Sequence, residues 1–459
     1  MENDKFTATA PNMNNDDEIA SASNIDEDIK KSYEKMGWDY RYRFKFEFEE
    51  YEFLKRLKES PPLEDRAAEC CIYRVPNSLR VSNPEAYTPQ VISIGPFHHR
   101  SHERLKAMDT LKERYQGEFL KRNKMDGNKI IDFLSRIWKE EESVRRCYSE
   151  SFSILSQSFV MMIVLDAVFI IEFLKESCAA GFPKNIDTRM RFCIEEDLML
   201  LENQLPFSFL HFIYSEFYHH SQDENKTPLL DLATRHFGYN PLAQGSESIY
   251  ATDKVKHFTD LLMKSMLKGK LERENCFDPV KLKYNAAMLR KAGVKFQKTE
   301  DECLFNVRFE KGVLEIPTLT VDDSLERLVR NVMAWEQFSE PYATYISNYF
   351  KFMDHLIDRA EDVALLAEEG IIMNWLGDDA AVSKLMNNLS QRSETTSYYS
   401  SICQELNEYC DNPWNRRKAT LKLVYFSNLW RGTGTLAAAF LLILTLLQTI
   451  TSLKSSFWD

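Results

Sequence analysis

The chain has 459 residues, with 58 basic and 70 acidic side chains, a net charge of −12 and 44% hydrophobic residues. That apolar content suffices for one large domain or two to three ordinary ones. The acidic balance argues against general nucleic-acid binding, which needs Lys and Arg to neutralise phosphates.

Residues 1–28 are acidic and rich in Asn and Ser, a composition that predicts disorder. From Ile29 to Ser60 the composition changes. Tyr40–Phe48 (YRYRFKFEF) alternates aromatic and charged residues with period two, which predicts a strand, and EEYEFLKRLKES reads as a helix. Such interleaving can stack on nucleotide bases. Here Glu47, Glu49 and Glu50 follow at once, so an element packed on the head is the better reading. Residues 1–60 thus form an N-terminal extension, and Pro61–Pro62 opens a helical domain over 61–412.

Within that domain, Cys71–Val75 and Gln90–Ile94 are short β-branched runs, interrupted by Pro76, Pro84, Pro89 and Pro96. Prolines this dense predict extended, turn-rich chain over 71–95 and not helix. Leu105, Met108, Leu111, Tyr115 and Phe119 then recur at helical spacing, and Ile130, Ile131, Phe133, Leu134 and Ile137 resume it after a turn at Asp126–Gly127. Phe159–Leu174 (FVMMIVLDAVFIIEFL) is apolar on nearly every side, too short and too charged to cross a bilayer, and reads as the central core helix. Asp187–Phe217 reads as a helix with Glu195, Glu196 and Asp197 in its first half, where the helix dipole tolerates acids best. Pro206 should bend or break it.

Val255–Leu271 and Tyr284–Ala292 are two further helices, the second stopped by Gly293. The period then changes. Val294–Gln297, Leu304–Phe309 and Val313–Leu319 alternate like strands of a small antiparallel element over 294–319, with Glu310-Lys311-Gly312 as a hairpin turn. Helices resume at Ser324 and run, with breaks near Pro341 and Gly370, through Gly377–Leu389. The expected fold class is mainly α, a multi-helix head with this β element and the extended segment at 71–95, plus one C-terminal transmembrane helix.

That last helix is Gly432–Leu453, which carries no charge. About 22 helical residues at about 1.5 Å each match a hydrocarbon core about 30 Å thick. A basic juxtamembrane segment (413–431) precedes it, with aromatic and basic residues suited to the membrane interface at Leu421–Trp430, and a short tail (454–459) follows. The chain therefore reads as tail-anchored. Arg416, Arg417, Lys418, Lys422 and Arg431 flank the head side against Lys454 and Asp459 beyond, so the positive-inside rule places the head in the cytosol. The nine cysteines show no CxxC pair, and the N-terminus shows no apolar signal region. Both observations fit a cytosolic head with reduced thiols.

Taken together, CIYRVPNSLRVSNPEAYTPQVISIGPFHH, LKAMDTLKERY, LDAVFIIEFL, LMLLENQLPFSFL, AGVKFQKTED, GVLEIPTLTVDDS, IIMNWLGDD and ICQELNEYCDNPWNRRKATL resemble one family, the plant "domain of unknown function 247" family, over residues 65 to 453. Each motif is long and irregular, which makes the resemblance specific. One departure is Ala167–Val168 after Asp166, where many members carry Gly-Cys, a change that packing tolerates. The resemblance implies a mostly helical plant protein with a single C-terminal span and no established enzymatic activity. It also implies that recognition is a possible role, since some grass members are proposed determinants of pollen–stigma self-incompatibility.

Candidate chemistry is sparse. His98, His99 and His102 form the densest histidine cluster. A metal would need further convergent ligands, so capping and packing are the better reading. His219–His220 reads as a solvated helix end. Asp166, inside the apolar helix, must be paired, hydrogen-bonded or protonated. It is either an acid/base group or the partner of an Arg from a neighbouring helix. Asn203 and Gln204, beside Pro206, suggest amides that satisfy backbone groups freed by the proline. Asn225 and Asn388 open glycosylation sequons, usable only by a lumenal or extracellular head. No motif calls for a cofactor or catalytic residue. The sequence thus favours a membrane-held interaction or recognition protein, touching lipid through Gly432–Leu453 and a protein partner through residues 1–60 or Ser221–Asp253. An enzyme near Asp166 or His98–His99, and a passive tether, are the alternatives.

Overall fold

A computed structural model of the chain describes residues 69–180, 186–218, 227–237, 242, 255–272, 280–339, 341, 343–391, 397–420 and 429–456. The N-terminal extension with its expected strand, His219–His220, Asn225 of the first sequon, most of Ser221–Asp253 and residues 421–428 of the juxtamembrane segment lie outside the described residues.

The Pro-rich segment is largely extended, with an isolated bridge between Ile72 and Tyr148. It also holds two helical turns that the prolines had argued against, α1 (Asn77–Arg80) and a 3-10 turn at Pro84–Tyr87. Pro76 and Pro84 sit at or next to the first helical position, where a missing N–H costs nothing.

Helices α2 (Glu103–Arg122) and α3 (Gly127–Arg146) follow, and Asp126 caps α3 by accepting from the Lys129 N–H at 2.9 Å. Then comes α4 (Ser156–Ala180), 25 residues long and therefore longer than its apolar run suggested. After it come α5 (Thr188–Leu198), α6 (Phe207–Tyr218) and α7 (Leu229–Phe237). Helices α2, α3, α6 and α7 all pack on α4, so Phe159, Ile163, Phe169, Ile170 and Phe173 lose all contact with solvent. The expected helix at 187–217 is two helices. The break covers Met199–Pro206, so Pro206 opens α6 instead of bending a continuous rod.

Helices α8 (Phe258–Met266) and α9 (Ala286–Lys291) are shorter than their patterns. Strands β1 (Lys295–Thr299), β2 (Arg308–Glu310) and β3 (Val313–Pro317) form a sheet ordered β1-β3-β2. The β2–β3 hairpin is antiparallel and turns at Lys311-Gly312, both with positive φ as a two-residue primed turn requires. β1, however, pairs with β3 in parallel, so the sheet is mixed and not purely antiparallel. Alternation reports a strand but not its neighbour. The most buried strand, β3, takes the centre, and the chain after β1 crosses to the far edge.

A second sheet pairs β4 (Leu319–Val321) with β5 (Ile372–Asn374), whose three residues are too few to show a period. The helices that follow β4 are α10 (Leu325–Ser339), α11 (Tyr345–Leu356), α12 (Ala360–Glu368), α13 (Asp379–Leu389), α14 (Ser400–Asp411) and α15 (Pro413–Thr420), of which α12 packs on β5 and α14 on β2. The last helix, α16 (Leu429–Ser456), runs 28 residues, and none of its apolar stretch Thr433–Thr451 is buried.

Candidate functional site: a buried polar hub

The extended segment Gln90–Gly95 enters the head from an exposed Gln90 and is buried from Ile92 on, with no strand beside it among the described residues, so its backbone groups need other partners. Buried side chains from four places provide them. Asp197, next to the end of α5, accepts from the N–H groups of Gln90 (2.8 Å), Val91 (2.8 Å) and Ile92 (2.9 Å). Asn203, between α5 and α6, accepts from the Ile94 N–H at 2.7 Å and donates to the Ile92 carbonyl at 3.0 Å. Lys112 on α2 donates to the Ser93 carbonyl. Asp166 on α4 accepts from the Gly95 N–H at 2.8 Å and pairs with Lys112 at 2.6 Å. The side chains stand in for a missing neighbouring strand.

The partner of Asp166 is thus a lysine, not the expected arginine. Helix α2 buries Leu105, Met108, Lys112, Tyr115 and Phe119, and Leu111 is only partly buried. Lys112 occupies the stripe position that the apolar pattern assigned to Leu111. A cation falling in register with Leu105, Met108, Tyr115 and Phe119 was the signal that could have found it. Burial pushes the Asp166 carboxyl up, and Lys112 and the Gly95 N–H oppose that shift. Burial likewise raises Asp197, against Arg327 (2.6 Å) and its three N–H donors. Because α5 stops at Leu198, Asp197 sits at the helix end where the dipole disfavours an acid, and these bonds compensate it.

Gly95 completes the junction. Its φ is +68°, and a Cβ there would lie 2.7 Å from the Gln204 carbonyl oxygen and 2.8 Å from the Tyr148 hydroxyl. The Tyr148 hydroxyl itself donates to that carbonyl at 2.9 Å.

The loop between α5 and α6 is equally occupied. Gln204 donates to the carbonyls of Leu198 (2.6 Å) and Leu200 (2.7 Å) and accepts from the Phe258 N–H at 3.0 Å. Asn203 also donates to the Asp197 carbonyl at 2.9 Å. The two amides therefore serve the orphan carbonyls at the end of α5 more than any group freed by Pro206. Glu202, which sequence reasoning missed, accepts from the Val75 N–H at 2.7 Å and pairs with Arg80 and Arg74. Burial alone would raise its carboxyl, but His98, Arg80 and the Val75 N–H hold it below the usual range.

The three histidines do not converge. His98 is buried with Nε2 3.1 Å from Glu202, close enough for an ion pair but off the line of a hydrogen bond. His99 is half-buried on the Asp166 side, and burial lowers its pKa. His102 is exposed at the N-cap of α2 and makes no side-chain cap. Among the described residues no group of three His, Cys, Asp or Glu side chains is arranged to hold a metal. A small pocket lined by Leu79, Tyr87, Arg330, Gln337 and Gln391 measures about 10 Å³, the size of one water molecule.

Of the two sequons, Asn388 lies at the end of α13. Its acceptor partner Ser390 is buried and donates to Asp354 at 2.7 Å, so the folded head presents that site poorly.

Fold and hub together define a class: a mainly helical head held together by buried carboxylate and amide clamps, carrying one exposed apolar helix. The profile of the plant "domain of unknown function 247" family, described as "Plant protein of unknown function", matches residues 72–444, and the chain belongs to that family. UPF0481 protein At3g47200 of Arabidopsis thaliana is 28% identical over 431 residues, covering 85% of this chain and 87% of the relative. A second Arabidopsis thaliana protein of the UPF0481 group, At3g02645, is 23% identical over 483 residues, covering 84% and 90%. No solved structure matches.

Proposed function

We propose that the chain is a single-span, membrane-anchored protein whose helical head serves as an interaction or recognition module facing the cytosol. The observation that carries this reading is α16, with Leu436, Phe440, Leu441, Leu442 and Leu446 each more than 60% exposed along one uncharged stretch. Patches of that size on a water-soluble protein are rare, whereas lipid accepts them at no cost. The excess of Arg and Lys on the head side of the span supports that orientation. An enzyme centred on Asp166 or His98–His99 fits less well, because the carboxylates there are engaged by protein donors.

Sealed microsomes bearing the full chain, treated with protease from outside, test the orientation: the head should be digested, and a protected head would overturn it. An unrelated span in place of Gly432–Leu453 separates an active head from a passive tether. Asp166→Asn tests the enzymatic alternative, since function lost with an unchanged melting temperature would mean chemistry at that carboxyl.

A further inference from the structure

On one surface of the head the charge runs against the chain's net −12. From Val280 to Thr299 the sequence carries Lys281, Lys283, Arg290, Lys291, Lys295 and Lys298 and no acid, and α15 (PWNRRKAT) is likewise free of acids. The fold puts α9 and α15 in contact. Lys291, Arg417 and Lys418 are exposed there. Two large apolar side chains stand among them, Met288 at 52% exposure and Trp414 at 75%.

Three acids on neighbouring elements pair with cations of this surface, while Glu361 of α12 and Glu405 and Glu408 of α14 are exposed. Glu368 and Glu369, at the end of α12, lie 3.1 and 3.2 Å from Arg290, and Asp411 of α14 lies 3.4 Å from Lys283. Residues 421–428 then join α15 to α16, a link that even fully extended reaches about 30 Å at most. The sequence adds Arg416, Lys422 and Arg431 on either side of that link.

We propose that the α9–α15 surface is the face of the head that lies on the bilayer, with Lys291, Arg417 and Lys418 binding anionic phospholipid headgroups and Trp414 and Met288 entering the interfacial layer. The proposal rests on the anchored reading above. Charge complementarity and the short link to α16 both point to the bilayer as the occupant: basic residues beside a span are drawn to the anionic leaflet, and Trp favours the headgroup level.

The test uses the full chain in nanodiscs made of phosphatidylcholine alone or with phosphatidylserine added. Exposed lysines are modified with an amine-reactive reagent and quantified residue by residue. Lys291 and Lys418 should react several-fold more slowly on the anionic discs, with Lys106 on α2 unchanged. The difference should vanish at about 1 M salt, where the Debye length is about 3 Å. It should also shrink at Lys291 in the Trp414→Ala/Arg417→Glu variant, whose changes are both at exposed positions. Equal reactivity on the two discs, with the chain inserted, would overturn this inference and leave the anchor standing. A chain that fails to insert in either disc would overturn both.

Discussion

Helices α4 and α16 are alike in composition and opposite in surroundings. Both hold a stretch long and apolar enough to cross a membrane, Ser156–Cys178 and Thr433–Thr451, yet 78% of the first is buried by protein and none of the second. The difference lies in their polar residues. α4 carries Asp166 and Glu172, and each has a cation from the helix beside it, Lys112 and Arg122, both on α2. The uncharged stretch of α16 carries threonines whose hydroxyls donate back to its own carbonyls, as Thr445 does to Leu441 and Thr449 to Thr445, both at 2.8 Å. One helix is addressed to protein neighbours and the other satisfies itself, which is what lipid demands.

The sharpest way to break the contrast is to remove one half of the α4 pair. Lys112→Ala leaves a buried carboxylate without its cation and should cost about 3–5 kcal/mol in denaturant unfolding, while Lys112→Met/Asp166→Leu should recover only part of it, because the Gly95 N–H and the Ser93 carbonyl lose their partners. Phe169→Ala, at the fully buried centre of α4, should cost a similar 3–5 kcal/mol by leaving a cavity. The equivalent truncation in α16, Phe440→Ala, should leave the melting of the head unchanged. If it destabilised the head, α16 would be packing on protein.

The clamp on the 71–95 segment predicts a pH effect. His257 caps α8 by accepting from the Asp260 N–H at 3.2 Å, and its Nε2 lies 2.9 Å from the Cys71 carbonyl. Burial lowers its pKa to about 4. The unfolded chain therefore takes up this proton first, near pH 6.5. The stability this residue contributes is complete above that pH and is lost as pH falls through 6.5 towards 4. Lowered Glu202 adds to the loss, and raised Asp166 and Asp197 oppose it. His257→Asn keeps a capping oxygen and removes the titration, so the difference between the two proteins isolates the histidine. Over that window the wild type should lose up to about 3 kcal/mol more than the variant, read from urea unfolding at each pH. Gly95→Ala, which puts a Cβ into a positive-φ site against the Gln204 carbonyl, should lower stability by more than about 1 kcal/mol.

Much of this architecture is legible in the sequence because it is periodic. The core role of α4, the hairpin at Lys311-Gly312 and the exposed apolar run of α16 all follow from patterns that one element shows by itself. The hub was only half legible. Asp166, Asn203 and Gln204 stood out as polar residues in apolar surroundings, but their partners are backbone groups of a Pro-rich segment that carries no side-chain signature. Asp197 read as an acid in the first half of one long helix, Glu202 drew no reading of its own, and Lys112 was hidden by the adjacent Leu111. The parallel pairing β1–β3 skips over β2 and β4–β5 joins Leu319 to the distant Ile372, and strands of three to five residues are too short to announce either.

The most direct test of the contrast between the two helices is an alkaline carbonate wash of membranes carrying the full chain, run beside Leu441→Asp/Leu444→Asp in α16. The wild type should stay with the membrane, and the variant should be released with its head still folded, since each acid at the centre of a span costs about 2.5–3.5 kcal/mol of insertion. Release of the wild type by carbonate, or a head that unfolds in the variant, would contradict the account by showing that α16, like α4, is covered by protein.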